Sequence, residues 1–134
     1  MLQLTYISTA APDLPKGAVG EILNLSRRNN APAHVTGLLL YDGRRFLQAL
    51  EGEAAMVNET YRRIKADPRH RAIVLLSANE VGTRAFGDWA MAAQQVSAVH
   101  GKSVIELVDS LTAGVADVTM RDLFRSFARV RAAA

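Results

Sequence analysis

The sequence predicts an α+β domain in which strands and helices follow one another in the order βαββαββ, with two more helices behind the last strand. Two observations predict it. Short apolar segments typical of strands are separated by segments whose apolar residues recur with a helical period. Proline, glycine and aspartate mark the junctions. The chain has 134 residues, 49% hydrophobic and 22% charged, as expected for one globular domain.

The first strand and the first helix are predicted at the amino-terminal end. Residues 2–8 form an alternating strand in which Tyr6 shares one face with leucines. An amphipathic helix is expected over residues 16–30, with Ile22 in its apolar stripe. Pro32 should end this helix, because the residue before a proline disfavours the α conformation.

A β-hairpin is predicted next. The segment 35–41 and the segment 44–52 are apolar runs separated by Asp42-Gly43, and Asp-Gly between such runs is a strong hairpin signal. The second run is apolar on both faces, yet Gln48 lies in its middle. A buried primary amide needs hydrogen-bond partners, so Gln48 marks a place where they should be found.

The remaining elements of the sheet follow the hairpin. A second helix is expected over residues 53–66, where Asp67-Pro68 stops it, and two strands are expected at 72–81 and 89–96. This order is a split βαβ repeat. It implies the ferredoxin-like arrangement, an antiparallel-rich sheet with both helices on one face.

Two amphipathic helices are predicted behind the sheet, beginning near Ser103 and Thr119. We expect them to cap the other face of the sheet, or to carry a partner or dimer surface, and both can be true. The domain organisation is then a binding domain at 1–96 and a helical extension at 97–134.

Several function classes are excluded or disfavoured by composition and motifs. The chain has no cysteine, which excludes a disulfide scaffold, cysteine-ligated metals and a thiol nucleophile, and suits a cytoplasmic protein. No apolar run could span a membrane. Arginine pairs occur without interleaved aromatics, so nucleic-acid binding is not expected. The three histidines lack metal-ligand spacing and no phosphate-binding glycine motif is present, so we expect neither a metal site nor an enzyme.

Three polar side chains fall on predicted apolar faces: Tyr6, Asn30 and Gln48. They could satisfy one another and nearby backbone groups, and Asn30 could take a left-handed conformation at the helix end. Together, a phenol and two amides also suit a polar ligand without fixed charge, such as a flat heterocycle with carbonyls and ring nitrogens. An apolar slot with a few convergent polar groups is a common pocket composition.

The same residues lie in segments that resemble a known family. Tyr6 in the first strand, Asn30, the hairpin "VTGLLLY-DG-RRFLQALEG", "DPRH" at 67–70 and "FGDWAM" at 86–91 resemble a BLUF domain, the blue-light sensor that uses a flavin. The resemblance extends over about residues 2–96. It implies that FAD is bound, with FMN or riboflavin as alternatives.

The resemblance also implies a role for individual residues. Tyr6 would donate an electron and a proton to the excited flavin, and Gln48 would lie between the phenol and flavin N5 and then rotate or tautomerise. Further flavin contacts would come from Ile22, Asn29, Asn30, Arg69 and His70. Trp89 and Met91 on the last strand would relay the signal.

The output is expected outside this domain. No effector-domain pattern follows the last two helices, so we expect signalling to a separate protein partner or through a homo-oligomer. Two other hypotheses remain at this point. One is a light-independent ferredoxin-like module for small-molecule binding or assembly, and the other is a small hydrolase of acyl phosphates on a similar fold.

Overall fold

The computed structural model describes residues 1–15, 17–41, 44–84 and 92–95, together with Asp122, Phe124 and Ser126. The element order is β1 Leu2–Ala10, α1 Ala18–Ala33, β2 Thr36–Tyr41, β3 Arg45–Gly52, α2 Ala54–Ala66, β4 His70–Glu80 and β5 Ala92–Gln95. The predicted order βαββαββ is therefore confirmed.

The five strands form one sheet in the order β4-β1-β3-β2-β5. β1 runs antiparallel to both of its neighbours, β3 and β4. β2 is antiparallel to β3 and parallel to β5. β1 and β2 thus point the same way with β3 inserted between them, which is the split βαβ arrangement of a ferredoxin-like fold.

Both helices lie on one face of this sheet, as predicted. A core cluster joins Ile22 of α1 and Val57 of α2 to the strand residues Leu4, Leu39 and Leu50. Because side chains alternate along a strand, these strand residues all belong to the same face. We call it the helix face, and its other side the opposite face.

The three central strands are held in close register. Tyr6 lies opposite Gln48 across β1 and β3, and Leu39 lies opposite the same Gln48 across β2 and β3. Gly37 allows an especially close approach, since a Cβ there would lie 1.9 Å from the carbonyl oxygen of Ala49. Register and close packing therefore centre the side chain of Gln48 between β1 and β2 on the helix face.

The predicted end of α1 is wrong. Pro32 lies inside the last turn of the helix, and the chain leaves the helix only at His34, whose φ of 53° is left-handed. The amide of His34 donates to the Ala31 carbonyl, and the amide of Val35 donates to the Asn30 carbonyl. These two bonds form a Schellman closure, which satisfies the terminal carbonyls and stabilises a helix end that a proline alone would disfavour.

Other boundaries differ by a few residues. β1 extends to Ala10 and β4 begins at His70, because these two residues pair with each other. β5 spans Ala92–Gln95, and the rest of its predicted range lies outside the described residues. The Asp42-Gly43 turn lies outside the described residues.

The predicted C-terminal helices also lie outside the described residues, apart from three positions. Asp122, Phe124 and Ser126 are helical, and the side chain of Phe124 is fully buried. Within the described part of the chain, the structure contains no helix that combines the length and the apolar character needed to cross a membrane.

Candidate functional site

A buried pair of side chains, Tyr6 and Gln48, lies at the centre of the helix face. The hydroxyl of Tyr6 donates a hydrogen bond to Oε1 of Gln48. Burial raises the pKa of Tyr6 well above its ordinary value, and the nearby Tyr61 and Asp67 raise it further. Tyr6 is therefore a neutral hydrogen-bond donor at any physiological pH.

An open cavity begins at Gln48 and extends between α1, α2 and the sheet. It contains about 640 Å³ of empty space, counting the part that is open to solvent. Its apolar walls are formed by Ile22, Leu25, Leu39 and Ile64. The side chain of Leu25 is 44% exposed although it belongs to the apolar stripe of α1. This exposure is explained by the position of Leu25 at the cavity.

Three of the polar residues around the cavity are neutral amides. Asn29, Asn30 and Gln48 all line it, and the last two side chains are buried. Amides both donate and accept hydrogen bonds without carrying charge. Apolar walls combined with amides from α1 and β3 suit a flat heterocycle that has carbonyls and ring nitrogens, so these residues fit an isoalloxazine ring.

A charged pair forms another part of the cavity wall. Nη2 of Arg69 lies 2.7 Å from Oδ2 of Asp67, and its Nε lies 3.0 Å from both carboxylate oxygens. Burial raises the pKa of Asp67, but the hydrogen bonds from Arg69 outweigh it, so the pKa lies below its ordinary value. The pair is ionised at neutral pH, and Arg63 lines the same cavity.

His70 lines the cavity beside this pair. Its Nδ1 lies 2.9 Å from the hydroxyl oxygen of Ser8, and its ring centroid lies 4.8 Å from that of Phe46. Burial lowers the pKa of His70 to about 4, although the Asp67 carboxylate acts in the other direction. His70 is therefore neutral at pH 7 and can both donate and accept a hydrogen bond.

The cavity brings together all but one of the predicted flavin contacts: Ile22, Asn29, Asn30, Gln48, Arg69 and His70. The remaining one, Tyr6, is reached through its hydrogen bond to Gln48. Asn30 lies inside α1 and does not adopt the left-handed conformation, which His34 adopts instead. Trp89 and Met91 lie outside the described residues.

Sequence reasoning missed the contribution of α2. Thr60, Arg63, Ile64 and Asp67 line the cavity, and none of them was among the predicted flavin contacts. Their spacing of three, four and seven residues places them on one helical face, so a mixed polar stripe was the available signal. Leu39 was also missed, although it pairs directly with Gln48.

Fold and cavity together define a class of protein: a ferredoxin-like α+β domain with a cavity between two helices and the sheet that suits a flat heterocycle. The family whose model matches residues 1–92 is described as sensors of blue-light using FAD. The chain belongs to this family, the BLUF domains, and it is a blue-light sensor that uses FAD as its chromophore.

Curated relatives carry the same domain within longer chains. The chain is 39% identical over 84 residues to the blue light- and temperature-regulated antirepressor BluF of Escherichia coli, covering 63% of this chain and 21% of that protein. It is 38% identical over 90 residues to the photoactivated adenylate cyclase subunit beta of Euglena longa, covering 66% of this chain and 10% of that protein. The chain thus spans about a fifth or less of these relatives.

Solved structures share the fold over almost the whole chain. The dark-state structure of BlrB, a BLUF protein, has a TM-score of 0.73 and 30% identity, covering 96% of both chains. BlrP1 of Klebsiella pneumoniae, solved as a manganese and cyclic-diGMP complex, has a TM-score of 0.82 and 28% identity, covering 96% of this chain and 33% of the other. The predicted ferredoxin-like fold is confirmed by these similarities.

Proposed function

We propose that Tyr6 and Gln48 are the photoactive pair of this sensor, and that the Gln48 amide connects the Tyr6 phenol to the bound flavin. The observation that carries this proposal is the buried hydrogen bond from the Tyr6 hydroxyl to Oε1 of Gln48, at the wall of the cavity. Because Oε1 is the acceptor, Nε2 is the amide atom that can donate toward the chromophore.

The other cavity residues would hold FAD. Ile22 and Leu25 would pack on the ring, and Asn29 and Asn30 would bind its polar edge. Arg69 and His70 would lie toward the pyrimidine edge or the phosphate end. Arg69 is already bound by Asp67, so this pair would act as one unit in which the carboxylate fixes the guanidinium.

The light reaction would begin at Tyr6. Bound FAD supplies the absorption of blue light and, in its excited state, the capacity to take an electron from a neutral phenol. When Tyr6 loses an electron, its hydroxyl proton can move along the existing hydrogen bond to Gln48. Gln48 then rotates or tautomerises, and Tyr6 recovers its electron and proton. The net change is a new hydrogen-bond pattern around Gln48, with no change in oxidation state.

The signal would leave through the last strand. Gln48 is on β3, β3 pairs with β2, and β2 pairs with β5, so a short path through the sheet reaches the segment that contains Trp89 and Met91. We propose that residues 1–96 form the sensor and residues 97–134 the output surface, toward a separate cytoplasmic partner or a second copy. The domain itself would carry no enzymatic activity.

The first test is the visible spectrum of the purified protein in darkness and under blue light. A bound flavin whose absorption shifts to the red and recovers in darkness would support the proposal. The variant Tyr6→Phe should bind flavin and show no shift, whereas the control Tyr41→Phe should behave as the wild type. A shift of wild-type size in Tyr6→Phe would refute the role of Tyr6. A protein that binds no flavin at all would favour a light-independent binding module.

A further inference from the structure

A second buried polar cluster lies on the opposite face of the sheet. Glu51 of β3 is fully buried, and its two carboxylate oxygens accept hydrogen bonds from different strands. Nε2 of Gln3 on β1 lies 3.2 Å from Oε2, and the hydroxyl of Thr36 on β2 lies 3.0 Å from Oε1. We call Gln3, Thr36 and Glu51 the carboxylate row. It fixes β3 to both of its neighbours at one level of the sheet.

Arg84 extends this row to the segment after β4. One guanidinium nitrogen, Nη1, donates to the Thr36 hydroxyl at 2.8 Å and to the backbone carbonyl of Glu51 at 3.2 Å. The other, Nη2, donates to the carbonyl of His34 at 2.7 Å. Thr36 therefore accepts from Arg84 and donates to Glu51, so that the cation and the carboxylate are connected through one hydroxyl.

Arg84 lies between β4 and β5 in the sequence. β4 is at one edge of the sheet and β5 is at the other edge, beside β2. The chain must therefore cross the sheet between Glu80 and Ala92. Arg84 binds this crossing segment to the ends of β2 and β3 and to the residue that closes α1. The hydrogen bonds to Thr36 and Glu51 are partly buried, where water replaces a lost partner poorly, whereas the one to His34 is exposed.

We propose that Arg84 is a positioning residue that couples β3 to the segment leading into β5, acting through Thr36 and Glu51. This inference rests on the proposed function, because the motion it transmits begins at Gln48. Gln48 and Glu51 are three residues apart on β3 and face opposite sides of the sheet. A new hydrogen-bond pattern at Gln48 changes the position of β3, and the carboxylate row and Arg84 transfer that change to the crossing segment.

The test measures light-dependent hydrogen exchange in residues 92–95 together with the flavin red shift, in the full chain loaded with FAD. Arg84→Gln removes the cation, and Thr36→Val removes the hydroxyl at nearly constant shape. Both variants should keep a red shift of wild-type size, since Tyr6 and Gln48 are untouched. Both should reduce the light-minus-dark difference in exchange by about twofold or more. Thr36→Ser retains the hydroxyl and should restore the difference.

The test also has a control variant and two outcomes that would each contradict a different proposal. Arg28→Gln makes the same chemical change at an exposed position of α1 and should leave both measurements unchanged. A purely structural role would lower stability in darkness and leave the light-minus-dark difference intact, and that result would overturn the inference. A wild-type chain without any red shift would overturn the proposed function instead. The presence or absence of the red shift therefore shows whether the proposed function or the role of Arg84 has failed.

Discussion

The two faces of the central strands bury polar side chains in different ways. On the helix face, Gln48 and Asn30 line an open cavity, where a ligand can reach them. On the opposite face, Glu51 is enclosed by Gln3 and Thr36, which satisfy it from both sides. Burial of a polar side chain therefore does not by itself indicate a binding site. What distinguishes the two faces is whether the polar atoms converge on empty space or on one another.

The largest expected effect comes from substituting the residue at the centre of the helix face. Gln48→Leu removes, at similar size, the amide that we propose connects Tyr6 to the chromophore. We expect flavin to remain bound and the red shift on illumination to disappear completely, as measured by the visible spectrum. The matched control is Gln3→Leu, which removes the same amide on the opposite face and should keep the shift. A red shift preserved in Gln48→Leu would contradict the assigned role.

A substitution on the opposite face should change the stability of the protein. Glu51→Ala removes the carboxylate that accepts from Gln3 and Thr36, and leaves these donors buried without it. We expect the free energy of unfolding in darkness to fall by about 3 kcal/mol, as measured by urea denaturation. Glu53→Ala, at an exposed position two residues away, should change it by less than about 0.5 kcal/mol. Equal effects of the two variants would mean that the carboxylate row contributes nothing to stability.

The polar residues of the helix face were predicted from the sequence far better than those of the opposite face. Tyr6, Asn30 and Gln48 were noticed because each is a polar side chain among residues that are otherwise predicted to be apolar and buried. The burial of Glu51 was not predicted, because Glu51 lies near the end of a strand that is buried on both sides, where alternation cannot assign a face. Sequence spacing also could not find Arg84, since its partners His34 and Thr36 are 50 and 48 residues away along the chain.

The errors in the fold prediction have a similar origin. The rule that a proline ends a helix considers only its neighbour, whereas α1 continues because the chain closes at His34 through backbone bonds that no sequence pattern encodes. The order of the elements along the chain followed from local periodicity, and the split βαβ pattern of that order predicted both helices on one face. The contacts that connect distant segments could not be predicted from local periodicity.

The helix face should also give the protein a pH-dependent stability. The pKa of His70 is about 4 in the folded chain, below its ordinary value of 6.5. The unfolded chain therefore binds more protons between these pH values, and stability should fall as the pH falls through this range. Because His70 is not completely buried, we expect a loss of about 2 kcal/mol between pH 6.5 and 4, less than the full shift implies.

Urea denaturation at several pH values measures this loss. In His70→Gln the contribution should be absent, so the curve of stability against pH should be flatter than that of the wild type. His34→Asn is the control, since His34 is exposed and asparagine tolerates its left-handed backbone. If His34→Asn flattened the curve and His70→Gln did not, the burial of His70 would not be the cause.

The smallest expected effect is a difference in stability between substitutions of two threonines on the opposite face. Thr36 belongs to the carboxylate row, whereas the buried hydroxyl of Thr5 makes no hydrogen bond within the described part of the chain. A hydroxyl that is buried without a partner costs free energy, and a valine of the same shape avoids that cost. Thr36→Val should therefore lower the free energy of unfolding by about 1 kcal/mol, and Thr5→Val should leave it unchanged or raise it by up to about 1 kcal/mol. Denaturation of the two variants in parallel tests the difference directly. If both substitutions destabilised equally, the hydroxyl of Thr5 would have a partner of its own, and the carboxylate row would not be the distinguishing feature of this face.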